Sequence, residues 1–181
     1  PIRDLRDPGA HKQPRHMRDF VALPVAQKPT KANDHGGVHK NSGILNFAAY
    51  LATEGGRPPV YDGYACGLGQ DKVERIYYKA LVEKFMPEHA RFSDLAFALS
   101  SACYDMWSFE GGTAGVTPSD CGHLLDALWG VGVGKGDSDG DGFADDEDNS
   151  GVYNPDQEPM PDPTPSRQCR PEYECPAFLP L

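Results

Sequence analysis

The sequence has 181 residues and a formal net charge of −10 at pH 7, but this charge is unevenly distributed. Residues 136–181 hold 12 of the 27 acidic residues and two of the 17 basic ones, so residues 1–135 are electrically balanced. An acidic excess argues against nucleic acid or an anionic membrane as partners, and the sequence has no apolar run long enough to cross a membrane.

The N-terminal residues 1–35 are rich in Pro, Arg, His and Asp and show little periodicity. This composition predicts irregular structure, with one short helix near His16–Ala22. The first long helix is predicted at residues 42–54, where apolar residues recur at helical spacing. Asn41 or Ser42 is expected to cap its start, and Gly55-Gly56 to end it.

The second helix is predicted at about residues 70–85, where one face is apolar and the other is charged. We expect Lys72, Glu74, Lys79 and Glu83 to face water. The expected buried residues are Val73, Ile76, Tyr77, Ala80, Leu81 and Phe85.

The third helix is predicted to begin at Ser93, which suits the capping position. The fourth helix is predicted to begin with Thr117-Pro118-Ser119-Asp120, which forms a capping box with proline in the first turn, and to end at Gly130. The residues expected to be buried in these two helices are Leu95, Ala96, Leu99, Ala102, Cys103, Met106, Leu124, Leu125 and Leu128.

No strand pattern competes with these helices, so the predicted fold class is all-α. Residues 1–135 are predicted to form one small multi-helix, bundle-like domain with an irregular N-terminal segment. Residues 136–150 are predicted to be an acidic, calcium-binding linker. Residues 151–181 contain eight of the 17 prolines and are expected to be an extended, disordered tail.

The five cysteines form no C-x-x-C pair, which disfavours a cysteine zinc site and favours disulfides in a secreted protein. Cys103 lies about one turn before the end of the third helix, and Cys121 about one turn after the start of the fourth. If these helices are antiparallel neighbours, the two side chains meet and form a disulfide. Cys169 and Cys175 are expected to pair with each other, which leaves Cys66 free.

The segment from Asp137 to Asp148 has the spacing of an oxygen-rich calcium loop. Gly142 at the sixth position permits the sharp turn that such loops need. The segment resembles a thrombospondin type 3 repeat, a calcium-stiffened linker of secreted proteins, and the alternative is an acidic, disordered linker. The expected calcium ligands are Asp137, Asp139, Asp141, Asp145 and Asp148.

The most informative segment is Asn33-Asp34-His35-Gly36-Gly37-Val38-His39-Lys40-Asn41-Ser42-Gly43. It resembles the catalytic-histidine segment of the thermolysin-like zinc metallopeptidases, Asp-Asn-Gly-Gly-Val-His-x-Asn-Ser-Gly. Three further stretches resemble family segments that occur in the same order. They are the stretch from Arg3 to Asp7-Pro8, the stretch Gly67-Leu68-Gly69-Gln70-Asp71-Lys72, and Ile76–Leu81. The family pattern usually has Asn where this chain has His35, and an apolar residue where it has Lys40.

The resemblance implies the C-terminal, mainly helical half of a two-domain peptidase whose cleft lies between the halves. It further implies that His39 stabilises the tetrahedral intermediate and that Asp34 orients His39. Arg3 is expected to bind a substrate carbonyl next to the scissile bond, and Ile2 to line the pocket for the residue after it.

The chain has no H-E-x-x-H, so we expect no zinc ligands in it and assign zinc binding to an N-terminal domain of the same protein. The expected partners are therefore that domain and a peptide or protein substrate, and the chain alone should be inactive. One alternative is a non-catalytic helical binding domain on a calcium-stiffened linker, and another is a purely structural spacer. The joint presence of Arg3, Asp34 and His39 argues against the non-catalytic binding domain.

Overall fold

The computed structural model describes residues 3–24, 26–59, 64–83, 86–88, 90–108 and 115–134. These ranges contain four α-helices and no named strand, so the predicted all-α fold class is confirmed. The helices are α1 (Asp34–Glu54), α2 (Gln70–Val82), α3 (Phe92–Ser108) and α4 (Pro118–Gly130). Short 3-10 helices occur at Pro8–His11, Met17–Asp19 and Lys31–Asn33.

The N-terminal segment is irregular, as predicted, and is attached to the helices at defined points. The helix expected near His16–Ala22 is only a 3-10 turn, Met17–Asp19, in which the His16 Nδ1 accepts the Arg18 N–H at 3.0 Å. The Met17 N–H donates to the Val131 carbonyl at 2.8 Å, immediately after α4. This bond ties the segment to the far end of the helical domain.

Helix α1 begins earlier than residue 42, so the predicted capping role of Asn41 or Ser42 is wrong. The assigned helix starts at Asp34, but residues 35–37 have positive φ angles, and the regular helix therefore begins at Val38. The start was misplaced because two glycines usually end a helix, whereas here they form the turn that leads into one. Its predicted end is confirmed: Gly55 follows the last helical residue, with φ of 77°.

Helix α2 departs from its prediction on both faces. Leu81 was expected in the core but is 62% exposed, whereas Lys79, expected in water, has a side chain only 10% exposed. The Lys79 ammonium lies 2.7 Å from Glu83 and 2.9 Å from Asp105 of α3. A long lysine stem can cover apolar surface while its charge is neutralised, so periodicity alone misassigned this position. Phe85 lies outside the described residues.

Helices α3 and α4 follow their predictions more closely. Helix α3 begins at Phe92, one residue before the predicted cap Ser93, and the Asp94 carboxylate accepts the Arg91 N–H just outside it. The predicted capping box of α4 is confirmed, with the Thr117 hydroxyl accepting the Asp120 N–H. Since a capping box is a local interaction between residues three positions apart, it could be recognised without tertiary information.

Asp120 also joins α4 to α2. Both of its carboxylate oxygens lie 2.9 Å from the Lys72 ammonium, so Lys72 does not simply face water as predicted. Burial is the largest influence and would raise the pKa of Asp120, but the hydrogen bonds from Lys72 and Thr117 outweigh it and leave this pKa lowered. Because the folded-state pKa of Asp120 is lowered, the interaction stabilises the fold at pH values above the ordinary carboxylate pKa. This stabilisation is lost as the pH falls through the lowered pKa.

The core lies between the four helices. Helix α3 packs against both α2 and α4, and α1 packs against α4 and α2. The largest completely covered side chains come from all four helices and from the turns around α4. They are Ile44, Leu51, Ile76, Leu99, Leu124, Leu128, Val116, Val131 and Val133.

The predicted Cys103–Cys121 disulfide is confirmed, with the two Cα atoms 5.6 Å apart. The prediction that Cys66 is a free thiol is wrong, because Cys66 is also disulfide-bonded. The predicted Cys169–Cys175 bridge and the predicted calcium loop lie outside the described residues.

Candidate active site

Asp34 and His39, predicted to act together, are adjacent at the start of the regular part of α1. The Asp34 Oδ1 lies 2.5 Å from the His39 Nδ1. A carboxylate accepts hydrogen bonds, so Nδ1 carries the hydrogen of this pair and Nε2 is the ring nitrogen left to meet a substrate. The His39 side chain is 69% exposed and that of Asp34 is 29% exposed, so the imidazole projects outward from a partly covered anchor.

The second oxygen of Asp34 caps the helix. Its Oδ2 accepts the backbone N–H groups of His39 and Lys40, each at 3.1 Å. The hydrogen bond from the His39 side chain is the largest influence on the pKa of Asp34 and lowers it, and the net shift is downward. Asp34 is therefore held in its charged form, which is the form that orients a protonated Nδ1.

The turn before His39 consists of four successive residues with positive φ. The angles are 56° at Asp34, 48° at His35, 91° at Gly36 and 82° at Gly37. The His35 N–H donates to the Thr30 carbonyl at 2.7 Å, which closes the turn on the preceding 3-10 helix. Positive φ is accessible to glycine at little cost, so Gly36-Gly37 lets the chain bring Asp34 back over the first helical turn.

Space at this turn is limited by the extended segment beside it. A Cβ on Gly37 would lie 3.1 Å from the Val21 carbonyl oxygen and 3.0 Å from the Asn41 amide nitrogen. The buried Asn41 side chain accepts the Val21 N–H at 2.9 Å and donates to the Val21 carbonyl at 3.0 Å. Asn41 thus joins residues near Val21 to α1, two residues after His39.

A second side chain near His39 was not identified from the sequence. Gln13 Nε2 donates to the His39 carbonyl oxygen at 2.7 Å, and the Ser42 hydroxyl donates to the same oxygen at 2.8 Å. Gln13 precedes His39 by 26 positions, and no periodicity links residues so far apart in an irregular segment. Gly43 is the one residue whose type could have indicated this contact, because a glycine inside a helix often has a packing reason such as the close approach of another segment.

The other predicted site residues are not brought together by the described contacts. Arg3 is exposed, and no described hydrogen bond or ion pair joins it to Asp34 or His39. Ile2 lies outside the described residues, as do Asp137, Asp139, Asp141, Asp145 and Asp148. Within the described ranges, no three His, Cys, Asp or Glu residues cluster closely enough to hold a metal ion. The helices described here are too short or too polar to cross a membrane.

The chain is thus an all-α domain that presents an aspartate-bonded histidine at its surface. Residues 1–116 match the family described as the alpha-helical domain of thermolysin metallopeptidases. This match covers more than half of the sequence, so the chain belongs to that family.

Curated proteins support the same conclusion. The chain is 33% identical over 132 residues to a zinc metalloproteinase of Renibacterium salmoninarum, covering 72% of this chain and 23% of that protein. It is 35% identical over 106 residues to a zinc metalloproteinase of Listeria monocytogenes, covering 59% of this chain and 18% of the relative. It is 37% identical over 107 residues to a thermolysin of Alicyclobacillus acidocaldarius, covering 59% and 17%. The chain thus spans less than a quarter of the length of these relatives.

Proposed function

We propose that this chain is the helical part of a secreted, thermolysin-like zinc endopeptidase. The proposal rests on one observation: the Asp34–His39 pair stands at the start of α1 in a chain of this family. His39 is assigned to stabilise the negative charge that develops on the carbonyl oxygen of the scissile peptide bond. Asp34 is assigned to orient His39, whose Nε2 donates only when both ring nitrogens carry a hydrogen.

The pair suits this role because its geometry is set before substrate arrives. Nδ1 is bonded to Asp34, so the ring cannot rotate freely and Nε2 has a fixed direction. A donor that is already oriented stabilises a developing oxyanion without reorganisation, and this effect is strong where water is excluded. The exposure of His39 in this chain is consistent with a position facing a cleft whose other wall comes from elsewhere in the protein.

We propose that Arg3 contributes a second contact with the substrate. A guanidinium has five donors in a planar fork and is well suited to bind a peptide carbonyl. Ile2 is proposed to line the pocket for the residue after the scissile bond, which implies a preference for bulky apolar side chains. The substrate class is therefore a peptide or protein.

Zinc is assigned to the N-terminal zinc-binding domain of the same protein, since the described residues of this chain offer no cluster of three ligands. When bound, zinc acts as a Lewis acid toward the peptide carbonyl and makes water nucleophilic at neutral pH. The residues of this chain then bind the substrate and stabilise charge.

Peptide hydrolysis with and without the zinc-binding domain tests the proposal. The chain alone is expected to cleave no peptide, whereas the chain joined to that domain is expected to be active and to lose activity with a chelator. Restoration of activity by added zinc is the control for nonspecific effects of the chelator. Chelator-resistant cleavage by the joined protein, or cleavage by this chain alone, would contradict the proposed function.

We also propose a division of the chain into the helical domain at 1–135, a calcium-binding linker at 136–150 and a Pro-rich tail at 151–181. The linker proposal rests on the spacing of its aspartates and on Gly142. Clustered carboxylates repel one another until a cation neutralises them, so calcium is expected to order this segment. Its resemblance to a thrombospondin type 3 repeat fits the proposed secretion.

Titration calorimetry of the chain with calcium is expected to show binding in the range of extracellular modules, with a Kd of about 0.1–1 mM. The double variant Asp139→Asn/Asp141→Asn keeps the size of both side chains but removes two charges, and its binding heat should be lost or strongly reduced. Equal heats for both proteins, or no heat at millimolar calcium, would instead favour an acidic linker without a calcium site.

A further inference from the structure

The side chain of Gln13 connects the irregular N-terminal segment to the helix that carries His39. Its Nε2 donates to the His39 carbonyl oxygen at 2.7 Å. Its backbone N–H donates to the Pro8 carbonyl at 3.1 Å, which fixes Gln13 at the end of the first 3-10 helix. The side chain therefore extends from an anchored backbone position to the first turn of α1.

Close packing holds Gln13 in this position. Gly43 lies one helical turn after His39, and a Cβ there would be 2.6 Å from the Gln13 Cβ and 2.7 Å from the Pro14 carbonyl oxygen. Only a residue without a side chain allows the N-terminal segment to approach α1 so closely. The segment is thus in direct contact with the helix at the level of His39.

The unpaired oxygen of Gln13 shows that the side chain is more than a space-filling group. Its Oε1 is buried and has no hydrogen-bond partner among the described residues. A buried polar atom without a partner costs about 1–3 kcal/mol. An apolar side chain of similar length would avoid this cost. We therefore take the hydrogen bond from the amide N–H to the His39 carbonyl as the reason for a glutamine at this position.

We propose that Gln13 is a positioning residue for His39. The proposal rests on the proposed function, because it assigns to Gln13 the task of fixing the helix turn from which His39 meets the substrate. The segment that contains Gln13 also contains Arg3, the other residue of this chain that is assigned to contact the peptide backbone. A displacement of a reacting group by about 1 Å can reduce the rate about 100-fold. Loss of the single Gln13 hydrogen bond is expected to displace His39 less, and therefore to reduce kcat about 10-fold.

The test uses the full enzyme with Gln13→Met, which keeps the length of the side chain but removes the donor. We expect kcat to fall about 10-fold with little change in KM, because the group being displaced acts in the transition state. The matched control is Ser42→Ala, which removes the other donor to the same carbonyl oxygen. Ser42 lies within α1 and cannot link the helix to another segment, so its kcat should stay within about twofold of wild type.

A second variant, Gln13→Glu, distinguishes positioning from packing. A charged carboxylate cannot donate to the His39 carbonyl, but a protonated carboxyl can. Relative to wild type at each pH, kcat should therefore be low at neutral pH and recover as the pH falls toward about 5, since burial raises the pKa of a carboxyl. This pH dependence would not arise from packing alone, and it decides the question even if Gln13→Met fails to fold.

His39→Ala measured in parallel separates the two proposals. Full activity of His39→Ala would overturn the proposed function. If His39→Ala is impaired while the Gln13→Met and Gln13→Glu variants have wild-type kcat at all pH values, only the positioning role of Gln13 is overturned. A fall in kcat for Ser42→Ala equal to that for Gln13→Met would overturn it as well.

Discussion

Replacing His39 by alanine in the proposed full-length, zinc-loaded peptidase is expected to lower kcat about 100-fold or more. The imidazole Nε2 is the assigned donor to the developing oxyanion, and alanine offers no substitute for it. The variant should still fold, because the His39 side chain is 69% exposed and contributes little to the core. Steady-state kinetics on a peptide substrate, with metal analysis of the same sample, is the measurement.

The zinc content of this variant should not change, since His39 is not assigned as a ligand. His11→Ala is a suitable control, because it removes a histidine of the N-terminal segment that has no assigned role at the site. Its kcat should match that of the wild type. A folded, zinc-loaded His39→Ala enzyme with near-normal kcat would show that His39 is not the oxyanion donor.

The second large effect concerns stability. Replacing both Cys103 and Cys121 by alanine is expected to lower the free energy of unfolding by about 3 kcal/mol. The disulfide joins residues 18 positions apart, and in the chain-entropy model its loss frees this loop in the unfolded state. Both residues are completely buried, so removal of the two sulfur atoms also weakens packing between α3 and α4. Denaturant unfolding under oxidising conditions measures the difference.

Reduction of the wild-type protein is a poor control, because Cys66 is also disulfide-bonded and would be reduced at the same time. Separate Cys66→Ala and Cys103→Ala/Cys121→Ala proteins resolve the two bridges. Recovery of Cys103 and Cys121 as free thiols in peptide mapping would refute the bridge, and unchanged stability of the double variant would refute its contribution.

The sequence predicted those parts of the fold that depend on local interactions. The capping box at Thr117, the end of α1 at Gly55 and the all-α class all follow from residues close together in the chain. The Cys103–Cys121 pairing followed from the positions of two helices around one connection. Predictions failed where distant residues decide the outcome, as at Lys79, which is covered because Asp105 of α3 lies 2.9 Å away.

The candidate site shows the same division. Asp34 and His39 are five positions apart and belong to one recognisable segment, so their interaction could be predicted. Gln13 and Asn41 could not be connected to it, because their bonds to residues 26 and 20 positions away depend on how the N-terminal segment lies against α1. The early start of α1 was missed because Gly36-Gly37 usually marks a helix end, whereas here these residues form the positive-φ turn that leads into the helix.

The separate hydrogen bonds made by the two carboxylate oxygens of Asp34 have a consequence for how this protein can evolve or be redesigned. One carboxylate oxygen holds the His39 ring while the other holds the first amides of α1. A substitution at Asp34 therefore cannot alter the reactivity of the histidine without also loosening the helix that carries it. A screen for activity and a screen for thermal tolerance would therefore reject the same Asp34 variants. Adaptation of either property has to begin elsewhere in the sequence.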